Sequence, residues 1–180
     1  KGNAYRYDRA FYIGEQDFYL PNDGKGNFKE YASPAAGMHE MLELAKGLIP
    51  TNVVFNGAVG AITGDNALSA KVGEKVLFVH SSANRQSYPH LIGGHADLYW
   101  VGGSFSDVPL TSQETWFVPA GAAVAAAYEF HQPGRNDLHQ PEHGRAAVPP
   151  GAHLTHDYWR AGDDRRVFLL HADACVCRGA

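Results

Sequence analysis

The sequence has little cysteine, no long apolar run and no dominant charge, and each shortage excludes a class of protein. Cys175 and Cys177 are the only cysteines and lie too close together for a comfortable disulfide, so a disulfide-stapled fold is excluded. The net charge of −4 gives no reason to expect nucleic acid as a partner. No apolar run approaches the roughly 18 residues of a membrane span, so no membrane partner is expected. The chain opens at Lys1 without a recognisable signal peptide, so the compartment has to be inferred from other features.

Common catalytic glycine motifs are also absent. The sequence contains no nucleophile elbow, no phosphate-binding P-loop and no dinucleotide-binding glycine pattern. Glycine and proline themselves are plentiful, with 20 Gly and 10 Pro among 180 residues, while only 19% of residues are charged. This composition favours one loop-rich, β-rich domain over a coiled coil or a disordered acidic chain.

Histidine is abundant, with ten residues, but it is unevenly distributed. Residues 135–180 contain five of the ten His and six of the nine Arg, but no Lys and no Ile. Residues 1–134 contain all six Lys and all four Ile. This break in composition close to Gly134 indicates either a linker with an appendage or a tail whose sequence has a different origin from the body.

The body of the chain is predicted to consist mainly of β-strands. Residues 10–20 are rich in aromatic and β-branched side chains and end at the turn sequence Pro-Asn-Asp-Gly. The Ala-rich stretch 120–130 has helix propensity, but its neighbours and the turn that follows favour a strand. Five further short segments are separated by turn residues, as in an antiparallel sandwich: 52–56, 68–72, 75–80, 97–101 and 114–118.

One short helix is predicted to begin after Ser33 and Pro34, which suit a helix N-cap and the first helical position. Its apolar face includes Met38 and Met41. We expect these two methionines to pack into the core rather than to bind a metal ion.

The densest group of candidate functional side chains lies in residues 87–97, SYPHLIGGHAD, where His90 and His95 flank two glycines. The glycines exclude a zinc-protease helix, and no Glu follows the first His. On a loop the two imidazoles could lie near a metal or an oxyanion, although a loop histidine is more often a structural hydrogen-bonding residue. Glu114 and Thr115 suit either a functional polar pair or ordinary cross-strand positions. His80 ends an apolar strand and is expected to be a satisfied core or rim histidine.

The tail contains the other candidate ligands. His139, His143, His153, His156 and His171 are spaced as in some metal-binding tracts, but no surrounding periodicity fixes them. A single Cys-x-Cys is weaker still as a metal motif. Ordered metal binding in the tail is therefore the less favoured interpretation.

Several longer motifs resemble one family closely. NGAVGA, HSSANR, PHLIGGH and ETWF, followed by the turn EFHQPG, are similar to the second cupredoxin domain of copper-containing, NO-forming nitrite reductases. The resemblance covers residues 5–134, so residues 1–134 are expected to form this domain. It implies an all-β, cupredoxin-like Greek-key β-sandwich with one short helix.

The resemblance also implies a function and a setting. In this family each subunit of a homotrimer has two such domains, the first of which carries an electron-transfer copper. A catalytic copper lies between subunits and reduces nitrite by one electron to nitric oxide. The implied setting is denitrification in the periplasm, with a small cupredoxin or cytochrome c as the electron donor.

Four residues of this sequence fall on site positions of the family. His90 falls on the catalytic histidine, whose imidazole relays a proton to nitrite. Ile92 falls on the apolar side chain that caps the copper. Glu114 and Thr115 fall on the pair that orients the histidine.

The resemblance stops where a ligand of the catalytic copper is expected. Counting from Gly134 places that ligand position at Pro141, which cannot bind copper, while His139 and His143 lie two residues to either side. Residues 135–180 are therefore expected to be a divergent tail. An out-of-frame reading of GC-rich DNA, a disordered extension and a His-rich copper-handling appendage are the alternatives, and the coding DNA around codon 134 distinguishes the first.

Because the resemblance implies a first domain that these 180 residues do not include, we expect the chain to be a fragment that is inactive on its own. Two other functions stay open. One is a catalytically silent cupredoxin domain that serves as a structural or oligomerisation module. The other is a relative of the multicopper oxidases that acts on a different substrate.

Overall fold

The computed structural model describes residues 5–132 and two further strands in the tail. A single α-helix, α1 (Pro34–Ala45), occurs in this described part of the chain. The strands are β1 (Arg9–Phe18), β2 (Asn52–Phe55), β3 (Leu68–Lys71), β4 (Lys75–Ser82), β5 (His90–Leu91), β6 (Ala96–Trp100), β7 (Leu110–Gln113), β8 (Ala123–Glu129), β9 (Gly134–His139) and β10 (Arg166–His171).

The strands form a sandwich of two sheets. One sheet has six strands in the order β2-β1-β4-β8-β6-β7, and the other has four in the order β3-β10-β9-β5. Paired neighbours are antiparallel except for β1 with β4 and β9 with β10. Parallel neighbours cannot be joined by a hairpin, and the chain between β1 and β4 accordingly contains α1, β2 and β3. The all-β expectation, with one short helix, is confirmed.

The core lies between the sheets and is dominated by aromatic side chains. Phe78, Trp116 and Phe130 are completely or almost completely buried, and the rings of Phe78 and Trp116 have centroids 5.5 Å apart. A smaller cluster around Leu77 and Trp100 covers the opposite face of the six-stranded sheet. Adjacent residues of β4 thus pack on opposite faces, as the strand period of two requires.

The Ala-rich segment 120–130 forms β8, which confirms the strand prediction over helix propensity. Ala125, Ala126 and Ala127 are buried, because β8 runs between β4 and β6 in the six-stranded sheet. In that position burial on both faces outweighs the modest backbone preference of alanine.

The predicted strand at 114–118 is not a regular strand in the structure. Thr115 and Val118 make isolated bridges instead, to His90 and Ser87 respectively. The edge strand β7 was not predicted, because its sequence, LTSQ, has one apolar residue and no alternation that signals a buried face.

Helix α1 begins where predicted, with the Ser33 side chain accepting a hydrogen bond from the backbone N–H of Ala36. The expectation that its methionines pack into the core is wrong for Met38, which is 51% exposed. The helix instead buries Gly37, where an added Cβ would lie 2.8 Å from the Tyr31 ring. No helix in the described residues is both long and apolar enough to span a membrane.

Strands β9 and β10 are the described parts of the divergent tail. Five tail residues singled out in the sequence lie outside the described residues: His143, His153, His156, Cys175 and Cys177.

Candidate active site

A short antiparallel ladder brings the four predicted site residues into one region. Residues 87–91 run beside residues 114–118, and the Trp116 N–H donates to the Pro89 carbonyl at 2.8 Å. The Leu91 N–H donates to the Glu114 carbonyl at 3.2 Å, and His90 lies directly opposite Thr115. Proline fits this position because its carbonyl, the only backbone hydrogen-bonding group it has, is the one the ladder uses.

The imidazole of His90 has an oxygen beside each ring nitrogen. Nδ1 lies 2.8 Å from Thr115 Oγ1, and Nε2 lies 3.5 Å from Glu114 Oε1. The His90 side chain is 26% exposed, so part of the ring is open to solvent. With Nδ1 occupied by the threonine hydroxyl, Nε2 is the nitrogen that can pass a proton to a bound molecule.

Glu114 lies between two imidazoles. Its Oε2 is 4.0 Å from His95 Nε2, and the side chain is 55% exposed. A carboxylate at these distances can form an ion pair with either ring, although solvent weakens such a pair at so exposed a position. The two histidines that flank the glycines are therefore linked through one carboxylate.

Ile92 follows β5 in a tight turn and is 43% exposed, which is unusual for isoleucine. Gly93 has a φ of +91°, a conformation that favours glycine. Gly94 lies against Tyr128, where a Cβ would be 2.4 Å from the ring. Burial, followed by the charge of Asp97, raises the pKa of that tyrosine. The turn thus presents an apolar side chain to solvent next to His90.

His80 does not belong to this site. It is 1% exposed, and its Nε2 lies 3.4 Å from Glu15 Oε2, which confirms the expected core histidine. Glu15 was not among the predicted site residues, and Ser87 was included only as the first residue of the segment 87–97, although both are buried. The burial of Glu15 could have been predicted from the sequence. Side chains alternate between the two faces of a strand, so Glu15 lies on the same face of β1 as the buried Phe11 and Ile13.

The described residues do not make a metal site by themselves. No group of three or more His, Cys, Asp or Glu among them could hold a metal ion. Strand β9 pairs with β5 so that His139 lies opposite His90 in register, while Pro141 and His143 lie outside the described residues. The described donor set therefore does not fit copper on its own.

Comparison with known sequences places these residues within one family. Residues 9–139 match the family model described as multicopper oxidase. The chain is 58% identical over 134 residues to the copper-containing nitrite reductase of Neorhizobium galegae and 56% identical to that of Alcaligenes faecalis. Each match covers 74% of this chain, but only 35% and 36% of the respective relatives. The chain therefore spans about a third of the length of these relatives.

Comparison with solved structures identifies the fold. The copper nitrite reductase from Nitrosomonas europaea superposes with a TM-score of 0.51 at 22% sequence identity, over 73% of this chain and 42% of that chain. The chain therefore has the cupredoxin-like β-sandwich expected from its sequence.

Proposed function

Since this chain belongs to the multicopper oxidase family, in which its relatives include copper-containing nitrite reductases, we propose that it provides part of a nitrite-reducing site. In this proposal residues 1–134 are the second cupredoxin domain and supply one half of a catalytic copper centre shared between subunits. In the overall reaction, one electron and two protons would convert nitrite to nitric oxide and water, and a bound copper would deliver the electron. The observation that carries the proposal is the pairing of His90 with Thr115 and Glu114.

His90 is the proton donor of the proposed site. Thr115 holds Nδ1, and Nε2 lies near the exposed carboxylate of Glu114. The Glu114 carboxylate stabilises the imidazolium before the proton moves to a nitrite oxygen. Thr115 and Glu114 are positioning residues, since they act through the imidazole.

Ile92 forms the apolar wall of the proposed site. An exposed isoleucine two residues after His90 limits where an anion as small as nitrite can lie. A wall of this kind fixes orientation by shape and removes water from one side of the substrate.

Copper supplies the single electron when it is bound in the assembled site. The ligand expected from this chain falls on Pro141, and the register of β9 makes His139 the better candidate to test than His143. In this proposal the remaining ligands and the electron-transfer copper belong to a first domain, as the resemblance to nitrite reductases implies. We further propose a homotrimer in the periplasm, served by a small cupredoxin or cytochrome c in denitrification.

We propose that a change of reading frame in the coding DNA, just after the codon for Gly134, produced the tail. The Lys-free, Arg-rich and His-rich composition of 135–180 supports this proposal. Sequencing the coding DNA tests it, since a one-base change should restore an Asn-His-Asn strand after the turn. A coding sequence that gives no such strand in any frame rejects it and favours a genuine appendage.

A catalytically silent module is the second candidate, and Pro141 at the expected ligand position favours it. A hybrid protein separates the two candidates. In it, residues 5–132 replace the matching stretch of the Alcaligenes faecalis relative, and the rest of the relative is kept. Nitrite reductase function predicts nitric oxide from the copper-loaded hybrid and none from the isolated chain. A copper-loaded hybrid that makes no nitric oxide supports the silent module, and nitric oxide from the isolated chain contradicts the proposed fragment.

A further inference from the structure

A buried polar cluster lies at one end of the ladder that carries His90. Glu15 of β1, His80 of β4 and Ser87 are 3%, 1% and 0% exposed, respectively. Buried carboxylates and imidazoles are costly unless they are paired. Contacts among these three side chains therefore offset the cost of burying them.

The contacts converge on one oxygen atom. Ser87 Oγ donates a hydrogen bond of 2.5 Å to Glu15 Oε2, and His80 Nε2 lies 3.4 Å from the same oxygen. The trio is not a hydrolase triad, because the serine bonds to the carboxylate rather than to the imidazole and none of the three is accessible to a substrate. The trio therefore holds Ser87 against β1 and does not react with a substrate.

Ser87 forms the end of the ladder that lies farthest from His90. Its backbone N–H donates to the Val118 carbonyl at 2.9 Å, and the Val118 N–H donates back at 2.8 Å. The ladder continues through the bond between Trp116 and Pro89 and reaches His90 opposite Thr115. The hydroxyl of Ser87 thus ties one end of the ladder to β1, and the other end holds the imidazole.

The chain just before Ser87 is tied to the same strand. Arg85 Nε donates to Asp17 Oδ2 at 2.5 Å, and the Ala83 N–H donates to the Glu15 carbonyl at 3.0 Å. The Asp17 carboxylate raises the pKa of Arg85, mainly through this hydrogen bond. Both contacts therefore tie the turn between β4 and the ladder to β1.

We propose that Glu15 and Ser87 are positioning residues for His90, with His80 holding the Glu15 carboxylate in place. The cluster fixes the ladder relative to β1 and β4, and so it fixes where the imidazole of His90 lies. The link to catalysis rests on the proposed function, whereas the link to the position of the imidazole does not.

The test uses the complete 180-residue chain without copper or nitrite. Ser87→Ala removes the hydroxyl, and Glu15→Leu removes its acceptor from the other side. Amide hydrogen exchange and the NMR pH titration of the His90 ring are measured in each variant. We expect the Leu91 and Trp116 amides to exchange roughly tenfold faster or more, beyond any change in β4 and β8, because a buried hydrogen bond is lost. The His90 titration midpoint should also move.

Two further variants separate positioning from general destabilisation. Leu77→Ala weakens the cluster on the opposite face of the six-stranded sheet, so it should speed exchange throughout and leave the His90 midpoint in place. Glu15→Gln keeps an acceptor for the Ser87 hydroxyl, so the Leu91 and Trp116 amides should exchange almost as slowly as in the parent chain. The inference is overturned if Ser87→Ala and Glu15→Leu give the uniform pattern of Leu77→Ala. Since no turnover is measured, that outcome says nothing against nitrite reduction.

Discussion

The two nitrogens of His90 have different partners, and the difference determines what each can do. The Thr115 hydroxyl lies 2.8 Å from Nδ1 and sets the ring orientation, whereas Glu114 lies 3.5 Å from Nε2 and acts through its charge. A neutral hydrogen bond fixes geometry over a short range, while a carboxylate stabilises an imidazolium over a longer one. The threonine is therefore the stronger determinant of position.

Thr115→Val should release the ring, because valine has nearly the same shape but offers no hydroxyl to Nδ1. In the hybrid protein we expect kcat for nitrite to fall about 10- to 100-fold, as is typical when a residue that orients a site histidine is removed. The pH dependence of kcat should also shift. Thr111→Val, in the exposed strand β7, is the matched control and should leave both unchanged. An unaltered pH profile in Thr115→Val would remove this residue from the positioning role.

Among the structural elements, the turn after β5 is held by close packing rather than by hydrogen bonds alone. The Gly94 N–H donates to the Leu91 carbonyl at 3.3 Å, but the closest contact is with the ring of Tyr128 in β8. This contact couples the six-stranded sheet to the loop between His90 and His95. The sequence indicated two helix-breaking glycines there, but not that one of them makes room for a core tyrosine.

Gly94→Ala should therefore strain this turn. Its Cβ would lie 2.4 Å from Tyr128, so either the ring or the loop has to move, at a cost of about 1–3 kcal/mol in the free energy of unfolding. Urea denaturation measures the loss. Gly14→Ala is the control, because its Cβ would meet nothing closer than 3.6 Å. Equal stability of the two variants would show that the turn relaxes without strain.

The start of β1 is joined to the turn before β4 by a charged pair. Arg9 Nε and Nη2 each lie 3.2 Å from a Glu74 oxygen, and the Lys71 N–H donates to Glu74 Oε2 at 2.8 Å. The bond from Arg9, followed by that from the Lys71 backbone, lowers the pKa of Glu74. Since the carboxyl is more acidic in the folded chain than in the unfolded one, the pair stabilises the fold above a pH of about 4.3. That stability is lost as the pH falls through the lowered value.

Glu74→Gln should accordingly cost about 0.5–1 kcal/mol at pH 7, because the pair is partly exposed. The difference from the parent chain should be smaller at pH 3, which lies below the ordinary pKa of glutamate, because the stabilisation by the pair is lost as the carboxyl gains a proton. Urea unfolding at the two pH values gives both numbers. Glu43→Gln removes an exposed pair with Lys46 and should have little effect at either pH. A cost for Glu74→Gln that does not depend on pH would rule out the charge as its cause.

Over the whole molecule, the sequence predicted what depends on local pattern. The β1, β4 and β8 strands and the capped helix were all found, since turn residues and alternation mark them in the chain. Tertiary packing decided the rest. Met38 is exposed whereas Gly37 is the buried residue of the helix, and the cluster of Glu15, His80 and Ser87 joins residues up to 72 positions apart in the sequence. No local pattern contains such a contact.

The same difference of scale applies to the candidate site. The motif PHLIGGH and the pair Glu114-Thr115 could be named from the sequence, but Glu114 follows His90 by 24 positions, and only the ladder brings them to 3.5 Å. The chain also spans about a third of the relatives it matches. Under the proposed function, activity belongs to an assembly to which this chain contributes one part.

The most direct test of the account is nitrite turnover by the hybrid protein with His90→Ala. We predict that nitric oxide formation falls at least 100-fold while bound copper, measured by elemental analysis, stays at the parent level, because His90 moves a proton and does not hold the metal. The matched control, His39→Ala on the exposed side of α1, should keep full turnover. Unchanged nitric oxide formation in His90→Ala, with copper retained, would contradict the central claim.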